Sequence, residues 1–441
     1  MDASELSASD AARRIRDGEL RSEELTRACL DRIEAMEPTV QAWTHIDPEY
    51  ALEQARDADE RRSHGAAIGP LHGLPVAVKD IFDTRDMPTE CGTPLMSARQ
   101  PNQDARTVVA LREAGAVIMG KTVTTELAMY APGKTTNPHD PAHTPGGSSS
   151  GSAAAVATNM VPLAIGSQTN GSVIRPASFC GVYGFKPSFG AISRSGVLAL
   201  SRPLDTVGVF GRSVEDLALA AQPLFGFDER DPDTSLHARQ NLMETAGQEP
   251  PLPPIFAFVK SPVWDQVEDD TRDGLAELVE ALGDQCDEVE LPALFDDAVR
   301  WHRTILCADL AKNLGQLYDN GGEKLSDVLR GMIEEGQGCL AMDYNRAVDM
   351  IQILSAGLEQ IFDRYDAILT PAAPGEAPAG LDTTGSPIFC SLWTFVGLPA
   401  VSLPLLQGST DLPIGVQMIG ARNGDSSLLR SARWLGRYVA R

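Results

Sequence analysis

A short segment of glycine and serine stands out as a place where backbone and side-chain groups could bind or react. It runs from Gly146 to Ser152, in the order Gly-Gly-Ser-Ser-Ser-Gly-Ser, and continues at once into the alanine-rich run Ala153–Ala157. A flexible linker has this composition, but the alanine run predicts the start of a helix. A loop that leads into a helix presents free backbone N–H groups, as anion-binding loops do. A phosphate-binding loop would also need a lysine near its end, and this segment has none.

The same segment fits a second pattern, the G-x-S-x-G turn that carries the nucleophilic serine of α/β-hydrolases, with Ser149 at its centre. That turn needs a strand directly before it and a histidine paired with an acid further along the chain. Here the preceding residues Asn137–Pro145 form a proline-rich loop, and the only histidines downstream are His237 and His302. These surroundings disfavour the α/β-hydrolase interpretation.

Two further segments place chemically useful side chains at the ends of predicted strands. The apolar stretch Gly73–Val78 ends at Lys79, in a chain where only seven of the 37 basic residues are lysines. The segment Gly166–Ser172 follows the predicted strand Val161–Ile165 and reads Gly-Ser-Gln-Thr-Asn-Gly-Ser. Taken alone, Lys79 is typical of a strand-end lysine that reaches solvent, and Ser172 of a turn serine. The occurrence of all three segments in this order favours a chemical role instead.

Together the three segments resemble those of the amidase signature family. The resemblance is close from Leu71 to Val209 and weaker towards the C-terminus, at Ala367–Pro371, Gly397–Pro404 and Pro413–Gly420. The order of residues in the glycine–serine loop and in the stretch Gln168–Ala177 is most similar to the malonamidase-like branch. The resemblance implies an amidase signature fold and an enzyme that hydrolyses the C–N bonds of small amides, with no metal or organic cofactor.

Within this resemblance, Ser172 corresponds to the nucleophile, Ser148 to a bridging serine and Lys79 to the base. A serine hydroxyl is a weak nucleophile until a neighbouring group takes its proton. Lysine can take the proton only when it is neutral, and burial favours that state by lowering its pKa. The hydroxyl of Ser148 can relay the proton because it both donates and accepts hydrogen bonds. The family pattern also implies a cis peptide bond between Gly147 and Ser148.

The resemblance assigns the oxyanion hole to the backbone N–H groups of Thr169, Asn170, Gly171 and Ser172. Loss of one donor from such a hole costs about 3 kcal/mol of transition-state stabilisation. Two positions depart from the wider family, since Asn170 stands where glycine is usual and Gln168 replaces a common aspartate, as in the malonamidase-like branch. Asparagine tolerates a left-handed backbone better than most side chains. We therefore expect the hole to be kept and the pocket to be narrowed.

Four side chains are candidates for substrate binding. In malonamidase-like enzymes the arginine at the place of Arg175 holds a substrate carboxylate, a task that suits the two parallel donors of a guanidinium. The alternative for Arg175 is a structural ion pair behind the nucleophile. Ser150 could reach the reacting pair, and the alternative is a hydroxyl that fixes its own loop. Tyr130 and Trp393 are candidates for the pocket wall, with a place in the core as the alternative.

The elements that must hold these residues are short apolar strands that alternate with helices. The predicted strands are Val76–Val78, Val117–Met119, Val161–Ile165, Val207–Phe210, Ile255–Val259, Ala367–Leu369, Ala400–Leu403 and Gly415–Met418. Helical patterns lie between many of them. This alternation predicts an α/β fold with a large mixed, mostly parallel twisted sheet covered by helices on both faces.

We expect a single amidase domain over residues 1–441. Within it, residues 1–65 are predicted to form N-terminal helices, 66–212 the amidase signature core, and about 299–361 a helical flap or lobe. The proline-rich stretch Glu249–Pro254 is the best linker signal, but the pattern of strands and helices continues after it.

Charge and cysteine content limit the partners and the location. With 37 basic and 61 acidic residues the formal charge is −24, which repels nucleic acid and anionic membranes. The seven cysteines lack the spacing of a disulfide framework or a zinc site and indicate reduced thiols in the cytoplasm. No apolar run reaches the roughly 18 residues of a membrane span. The expected partner is a small-molecule amide, and a homodimer is compatible with the sequence.

The predicted reaction is hydrolysis of a small amide through a seryl acyl-enzyme, with release of ammonia or an amine. The nearest alternative is the amidase-type subunit of a glutamine-dependent amidotransferase, which shares the triad and supplies ammonia to a tRNA-handling partner. The charge of −24 and Ile174, where that class usually has an arginine, weigh against it. Ureas, carbamates and aryl anilides stay open as substrates, and a catalytically inactive binding module is the remaining alternative.

Overall fold

The computed structural model describes residues 2–236 and 240–440. The chain starts with three helices, α1 (Ala8–Asp17), α2 (Ser22–Val40) and α3 (Pro48–Ser63). Helix α1 begins where the side chain of Ser7 accepts a hydrogen bond from the N–H of Asp10, and it ends at Gly18 in a left-handed conformation. Both features are common helix boundaries, because they satisfy backbone groups that the helix itself leaves unpaired.

Within the described residues, 11 strands form one sheet. In chain order they are β1 (Trp43–Ile46), β2 (Pro75–Lys79), β3 (Val117–Thr122), β4 (Leu163–Gln168), β5 (Tyr183–Lys186), β6 (Thr206–Gly211), β7 (Phe256–Val259), β8 (Cys286–Val289), β9 (Ala367–Pro371), β10 (Ala400–Gln407) and β11 (Pro413–Ile419). Every predicted strand is among them, whereas β1, β5 and β8 were not predicted.

Across the sheet the strand order is β1-β3-β2-β4-β6-β5-β10-β11-β9-β7-β8. Pairing is parallel between β2 and its neighbours β3 and β4, and between β7 and its neighbours β8 and β9. All other neighbours are antiparallel. The prediction of a mixed sheet is confirmed, but its centre is antiparallel rather than mostly parallel. One reason is the short turn 408–412 between β10 and β11, because a parallel connection needs about a dozen residues or more.

The remaining helices follow or separate these strands. They are α4 (Arg106–Glu113), α5 (Ser150–Ala157), α6 (Ile174–Cys180), α7 (Val214–Ala221), α8 (Leu242–Gly247), α9 (Asp269–Leu282), α10 (Ala298–Gly321), α11 (Asp327–Gln337), α12 (Ala341–Phe362), α13 (Ile388–Phe395) and α14 (Asp425–Val439). Helices α10 to α12 occupy the segment for which a lobe was predicted. In the part of the chain that the structure describes, every helix is too short or too polar to span a bilayer.

Helices cover both faces of the sheet, as predicted. A side chain at Gly208 of β6 would lie 2.8 Å from Val173, just before α6, whereas one at Gly211 would lie 2.7 Å from Asp216 of α7. Successive strand residues point to opposite faces, so positions three apart do so as well. Helices α6 and α7 therefore pack against opposite faces of the same strand.

The carboxyl ends of β2 and β4 lie side by side at one edge of the sheet. The two strands are parallel, with Val78 opposite Ile165. Lys79 is the last residue of β2, and Gln168 is the last residue of β4. The loops that carry Ser148 and Ser172 meet at this edge, because one precedes α5 and the other follows β4 directly.

Candidate active site

The ammonium group of Lys79 lies inside the protein, within hydrogen-bond distance of two serines. The residue is 0% exposed, and its Nζ lies 2.7 Å from Ser148 Oγ and 2.9 Å from Ser167 Oγ. Burial lowers the pKa of Lys79 to about 7, although the nearby charge of Asp205 acts in the opposite direction. The amine is therefore available in its neutral form near neutral pH, where it can accept a proton.

Ser148 follows a cis peptide bond, Gly147–Ser148, as predicted. The space beside Gly147 is filled, since a side chain there would lie 2.9 Å from both Thr125 and Thr384. Glycine is the residue that fits this position without displacing its neighbours. This close packing holds the loop in the place from which Ser148 contacts Lys79.

The neighbouring serines of the loop direct their hydroxyls to backbone carbonyls. Ser149 Oγ donates to the carbonyl of Ser167 (3.3 Å), and Ser150 Oγ donates to the carbonyl of Val123 (3.3 Å). Both serines are buried. The bonds fix the start of α5 against the ends of β3 and β4, so Ser150 serves its own loop in this arrangement rather than the predicted substrate contact.

The histidine that an α/β-hydrolase elbow would need is not in place in the described chain. His302 of α10 is buried, and its Nε2 donates to the carbonyl of Thr169 at 2.9 Å. Burial lowers the pKa of His302 to about 4, so the ring is neutral. His302 makes no hydrogen bond to a serine in residues 2–236 and 240–440, and His237 lies outside these ranges. Nothing in the described site activates Ser149.

The turn that carries Ser172 is held by the side chain of Gln168. Gln168 Oε1 accepts hydrogen bonds from the N–H groups of Val173 (2.9 Å) and Ile174 (3.0 Å). Its Nε2 donates to Thr394 Oγ1 (2.9 Å). The two N–H groups belong to the start of α6, where helical partners are missing. A neutral amide therefore does the capping beside Ser172, a role that the sequence did not reveal.

The backbone of residues 169–172 leaves N–H groups free to face a ligand. The carbonyl of Asn170 is occupied by Thr394 Oγ1, which donates to it at 2.5 Å. Within the ranges that the structure describes, the N–H groups of Asn170, Gly171 and Ser172 donate to no protein atom. Free N–H groups on one turn can stabilise a developing oxyanion.

Gly171 has no room for a side chain, because a Cβ there would lie 2.9 Å from Pro387 and 3.1 Å from Cys390 Sγ. Asn170, by contrast, does not have a positive φ. Its side chain is thus accommodated by ordinary backbone geometry, and the expected tolerance of a left-handed conformation is not what keeps the loop in shape.

The side chain of Asn170 joins the loop to two neighbouring elements. Its Nδ2 donates to Tyr130 Oη (3.0 Å), and its Oδ1 accepts from Ser391 Oγ (2.8 Å). Ser391 belongs to α13, whereas Tyr130 follows a short turn of 3-10 helix at Glu126–Ala128. The Asn170 amide therefore fills the space between Tyr130 and α13.

Arg175 is 1% exposed and has no acidic partner in the described part of the chain. Its Nη2 donates to the carbonyl of Gly147 and its Nη1 to that of Gly385, both at 2.6 Å. Burial lowers the pKa of Arg175 to about 10, which leaves the guanidinium charged at neutral pH. The alternative of a structural ion pair is wrong, and the guanidinium holds the carbonyl that precedes Ser148.

Trp393 is completely buried in the main hydrophobic core, at 0% exposure. Its expected place on an open pocket wall is corrected by this burial. The α13 side chains that contact the loop 169–172 are Ser391 and Thr394. Both are small and polar, so no apolar or aromatic pattern in the sequence could have singled them out.

Asp205 supports the same turn from the other side and was missed in the sequence. Its Oδ1 accepts from Thr169 Oγ1 (2.6 Å), and its Oδ2 accepts from the N–H groups of Leu200 (2.8 Å) and Ser201 (3.0 Å). Burial raises the pKa of Asp205 to about 6. In its charged form Asp205 raises the pKa of Lys79. A lone aspartate before a strand carries no signal until the pairing of β6 with β4 is known.

A cavity of about 220 Å³ reaches Ser167, Thr169 and Asp205. A larger groove of about 1160 Å³ is lined by other residues and contains neither Lys79 nor Ser172. Size alone would therefore have pointed away from the polar cluster at the sheet edge. In the described ranges, no group of three or more histidine, cysteine, aspartate or glutamate side chains is arranged to hold a metal ion.

Comparison with known proteins agrees with this geometry. The model of the amidase family matches residues 24–429. A glutamyl-tRNA(Gln) amidotransferase chain of Rhodopirellula baltica, the one that carries the letter A in that enzyme, is 34% identical over 473 residues, which cover 96% of this chain and 95% of that protein. A chain from a vestigial protein complex linked to the origins of an s-triazine catabolic enzyme superposes with a TM-score of 0.91 at 28% identity, with 98% of each chain covered. Native peptide amidase from Stenotrophomonas maltophilia gives 0.84 at 27% identity, over 99% of this chain and 97% of that one.

The chain therefore belongs to the amidase family. It is an enzyme, and its family acts on C–N bonds. The malonamidase-like branch stays a prediction, since these relatives do not single it out.

Proposed function

We propose that this enzyme hydrolyses the C–N bond of small linear amides through a seryl acyl-enzyme, with Ser172 as the nucleophile, Ser148 as the relay and Lys79 as the base. The observation that carries the proposal is the 2.7 Å contact between Lys79 Nζ and Ser148 Oγ inside the protein. Because burial lowers the pKa of Lys79 to about 7, a large share of the amine is neutral at physiological pH.

In the first half-reaction, Ser172 Oγ attacks the carbonyl carbon of the amide. Its proton passes to Ser148 Oγ while the Ser148 proton passes to Lys79 Nζ, so a C–O bond forms and the carbonyl oxygen becomes an oxyanion. The N–H groups of residues 170–172 stabilise that charge. When the C–N bond breaks, Lys79 returns the proton through Ser148 to the leaving nitrogen, and ammonia or an amine departs.

In the second half-reaction, water attacks the acyl-enzyme at the same carbon. Its proton travels through Ser148 to Lys79, and a second oxyanion forms in the same hole. The bond between the acyl carbon and Ser172 Oγ then breaks, the proton returns to Ser172, and the carboxylic acid is released.

The polar groups around Ser172 favour a compact, uncharged amide. Arg175 already donates to two carbonyls, and Tyr130, Asn170 and Ser391 are hydrogen-bonded to one another. None of these residues supplies a carboxylate for the α-ammonium group of glutamine. This composition supports an amidase rather than a glutaminase.

A second candidate function is that of the amidase-type subunit of a glutamine-dependent amidotransferase. The observation in its favour is the 34% identity, over nearly the whole chain, to chains of glutamyl-tRNA(Gln) amidotransferase. Against it stand Ile174, at the position where an arginine is expected for that class, and the charge of −24, which disfavours work beside tRNA. Such an enzyme would use the same triad on glutamine and would need a partner to receive the ammonia.

We also propose a cytoplasmic location and catalysis without a metal, cofactor or partner chain. All seven cysteines are free, which suits a reducing compartment. Light scattering after size-exclusion chromatography of the purified chain decides between a monomer and a homodimer.

The test of the proposed function is an activity screen on the purified chain. Acetamide, propionamide, malonamate, glutamine, an aryl anilide, a urea and a carbamate are supplied in parallel, and released ammonia or amine is measured with Ser172→Ala as the blank. We expect turnover of at least one small linear amide. Turnover of glutamine alone, strengthened by a co-purified partner, would favour the amidotransferase. Turnover of none of these compounds would refute the amidase proposal.

A further inference from the structure

The loop 169–172 has one side chain that is free to border the substrate. Thr169 Oγ1 is turned to Asp205, to which it donates at 2.6 Å. Gly171 has no side chain, and Pro387 fills the place where one would lie. Asn170 is the remaining residue of the loop before the nucleophile, and it is partly exposed.

Tyr130 shows where the Asn170 side chain lies relative to the reacting serine. It accepts a hydrogen bond from Asn170, two residues before Ser172. It also lies close enough to Arg175, three residues after Ser172, for their charges to interact. Asn170, Tyr130 and Arg175 therefore surround the turn on which Ser172 stands.

The direction of the reaction tells which part of the substrate meets Asn170. The leaving nitrogen takes its proton from Ser148, so it must lie beside Ser148 and Lys79. The acyl substituent, on the other side of the carbonyl carbon, then extends away from Lys79. Asn170 lies on that other side, since its side-chain partners are Tyr130 and Ser391 and neither contacts Lys79.

The hydrogen-bond inventory of this pair leaves donors unused. An asparagine amide has two N–H groups on Nδ2, of which one serves Tyr130. Tyr130 Oη accepts that bond, so its own O–H group is left to donate, and no acceptor for it lies in the described residues. Two donors thus face the place assigned to the acyl group.

We propose that Asn170 and Tyr130 determine acyl specificity: Asn170 restricts the pocket to short acyl groups, and the two donors select those with an acceptor oxygen next to the scissile carbonyl. The inference rests on the proposed function, because it presumes that Ser172 attacks an amide. The chemical class of substrate is then a short hydroxy- or oxo-acyl amide, such as glycolamide.

Two ratios of kcat/KM test this inference on the full-length enzyme. The ratio of hexanamide to acetamide reports on pocket length, and the ratio of glycolamide to the similarly sized propionamide reports on the donors. Asn170→Gly should raise the first ratio about tenfold or more, since one excluded methylene is worth about tenfold or more in discrimination. Tyr130→Phe should lower the second ratio about three- to tenfold, the range of one neutral hydrogen bond.

Asn159→Gly is the matched control, because Asn159 has a φ of 61° that glycine also adopts and lies outside the site. It should change neither ratio. A serine-directed fluorophosphonate probe checks that Ser172 is reactive in each variant. If Asn170→Gly fails this check, Asn170→Ala carries the same expectation for the first ratio.

The outcomes separate the inference from the function on which it rests. A wild-type enzyme that hydrolyses none of the four amides refutes the proposed function itself. A wild-type enzyme that hydrolyses acetamide, with both ratios unchanged in reactive Asn170→Gly and Tyr130→Phe variants, overturns the specificity role and leaves the amidase proposal standing.

Discussion

Arg175 Nη2 donates a hydrogen bond of 2.6 Å to the carbonyl of Gly147. Because Gly147 directly precedes Ser148 and Arg175 lies three residues after Ser172, this bond joins the two loops that carry the proposed nucleophile and relay. A second bond from Nη1 reaches Gly385. The guanidinium is thus engaged by the protein itself, which makes it a brace for the site.

The brace predicts that Arg175→Ala lowers kcat/KM for acidic and neutral amides alike. Hydrogen bonds to charged groups contribute about 1.5–3 kcal/mol, so we expect a loss of about 10- to 150-fold on both malonamate and acetamide. Arg364→Ala, at an arginine whose side chain is 70% exposed, is the control and should leave both rates in place. A loss confined to malonamate would instead identify Arg175 as a clamp for a substrate carboxylate.

Replacement of Ser172 by alanine should abolish turnover and leave the fold intact. The side chain makes no hydrogen bond within the described residues that the variant would break, and removal of a nucleophile costs several orders of magnitude in kcat. Circular dichroism and thermal melting check the fold, and a fluorophosphonate probe followed by peptide mapping checks the site of labelling. Ser149→Ala is the matched control, and labelling at Ser149 in the wild type would revive the α/β-hydrolase interpretation.

The neutral-base role of Lys79 predicts a pH profile with a defined sign. Because the proton acceptor is the neutral amine, kcat/KM should rise with pH and level off above the pKa of Lys79, which burial lowers to about 7. The profile is measured on a neutral amide, so that the substrate itself does not titrate. Lys79→Met should lose about 100- to 10,000-fold, the usual contribution of a general base.

Lys186 offers a matched control for that experiment. It is also fully buried, burial lowers its pKa to about 7, and its Nζ donates to the carbonyl of Leu398 at 2.5 Å. Because Lys186 contacts backbone rather than the serines, Lys186→Met should keep the midpoint of the pH profile. A midpoint that moves in Lys186→Met and stays in a residually active Lys79 variant would contradict the assignment of the base.

The strands missed in the sequence show where local pattern stops being informative. In β5, Gly184 is required because a Cβ there would lie 2.6 Å from Ala177 of the helix above, yet glycine inside a strand resembles a turn. In β8, Asp287 and Glu288 are partly exposed at the sheet edge, so the apolar pattern is weak. Both features follow from tertiary contacts, as does the antiparallel centre of the sheet.

The site shows the same division. Motifs with unusual composition led to Lys79, Ser148 and Ser172, whose roles stay proposals supported by the geometry. The residues that hold them, such as Gln168 and Asp205, act through hydrogen bonds between segments far apart in the chain, for which a single sequence carries no pattern.

Asp205 gives the last prediction, because its charge acts on the proposed base. The charged carboxylate raises the pKa of Lys79, so Asp205→Asn should lower that pKa and move the rising limb of kcat/KM to lower pH. The asparagine side chain can still accept from Thr169 Oγ1, which limits structural damage. The profile is recorded from about pH 5 to about pH 9 on a neutral amide.

The shift should shrink at acid pH, where Asp205 itself becomes protonated, since burial raises its pKa to about 6. Asp309→Asn is the control, because Asp309 is a buried carboxylate that bonds to Ser201 and Tyr344 instead. It should leave the midpoint in place. A purely structural role of Asp205 would lower kcat in Asp205→Asn without moving the midpoint, and that result would refute electrostatic coupling between Asp205 and Lys79.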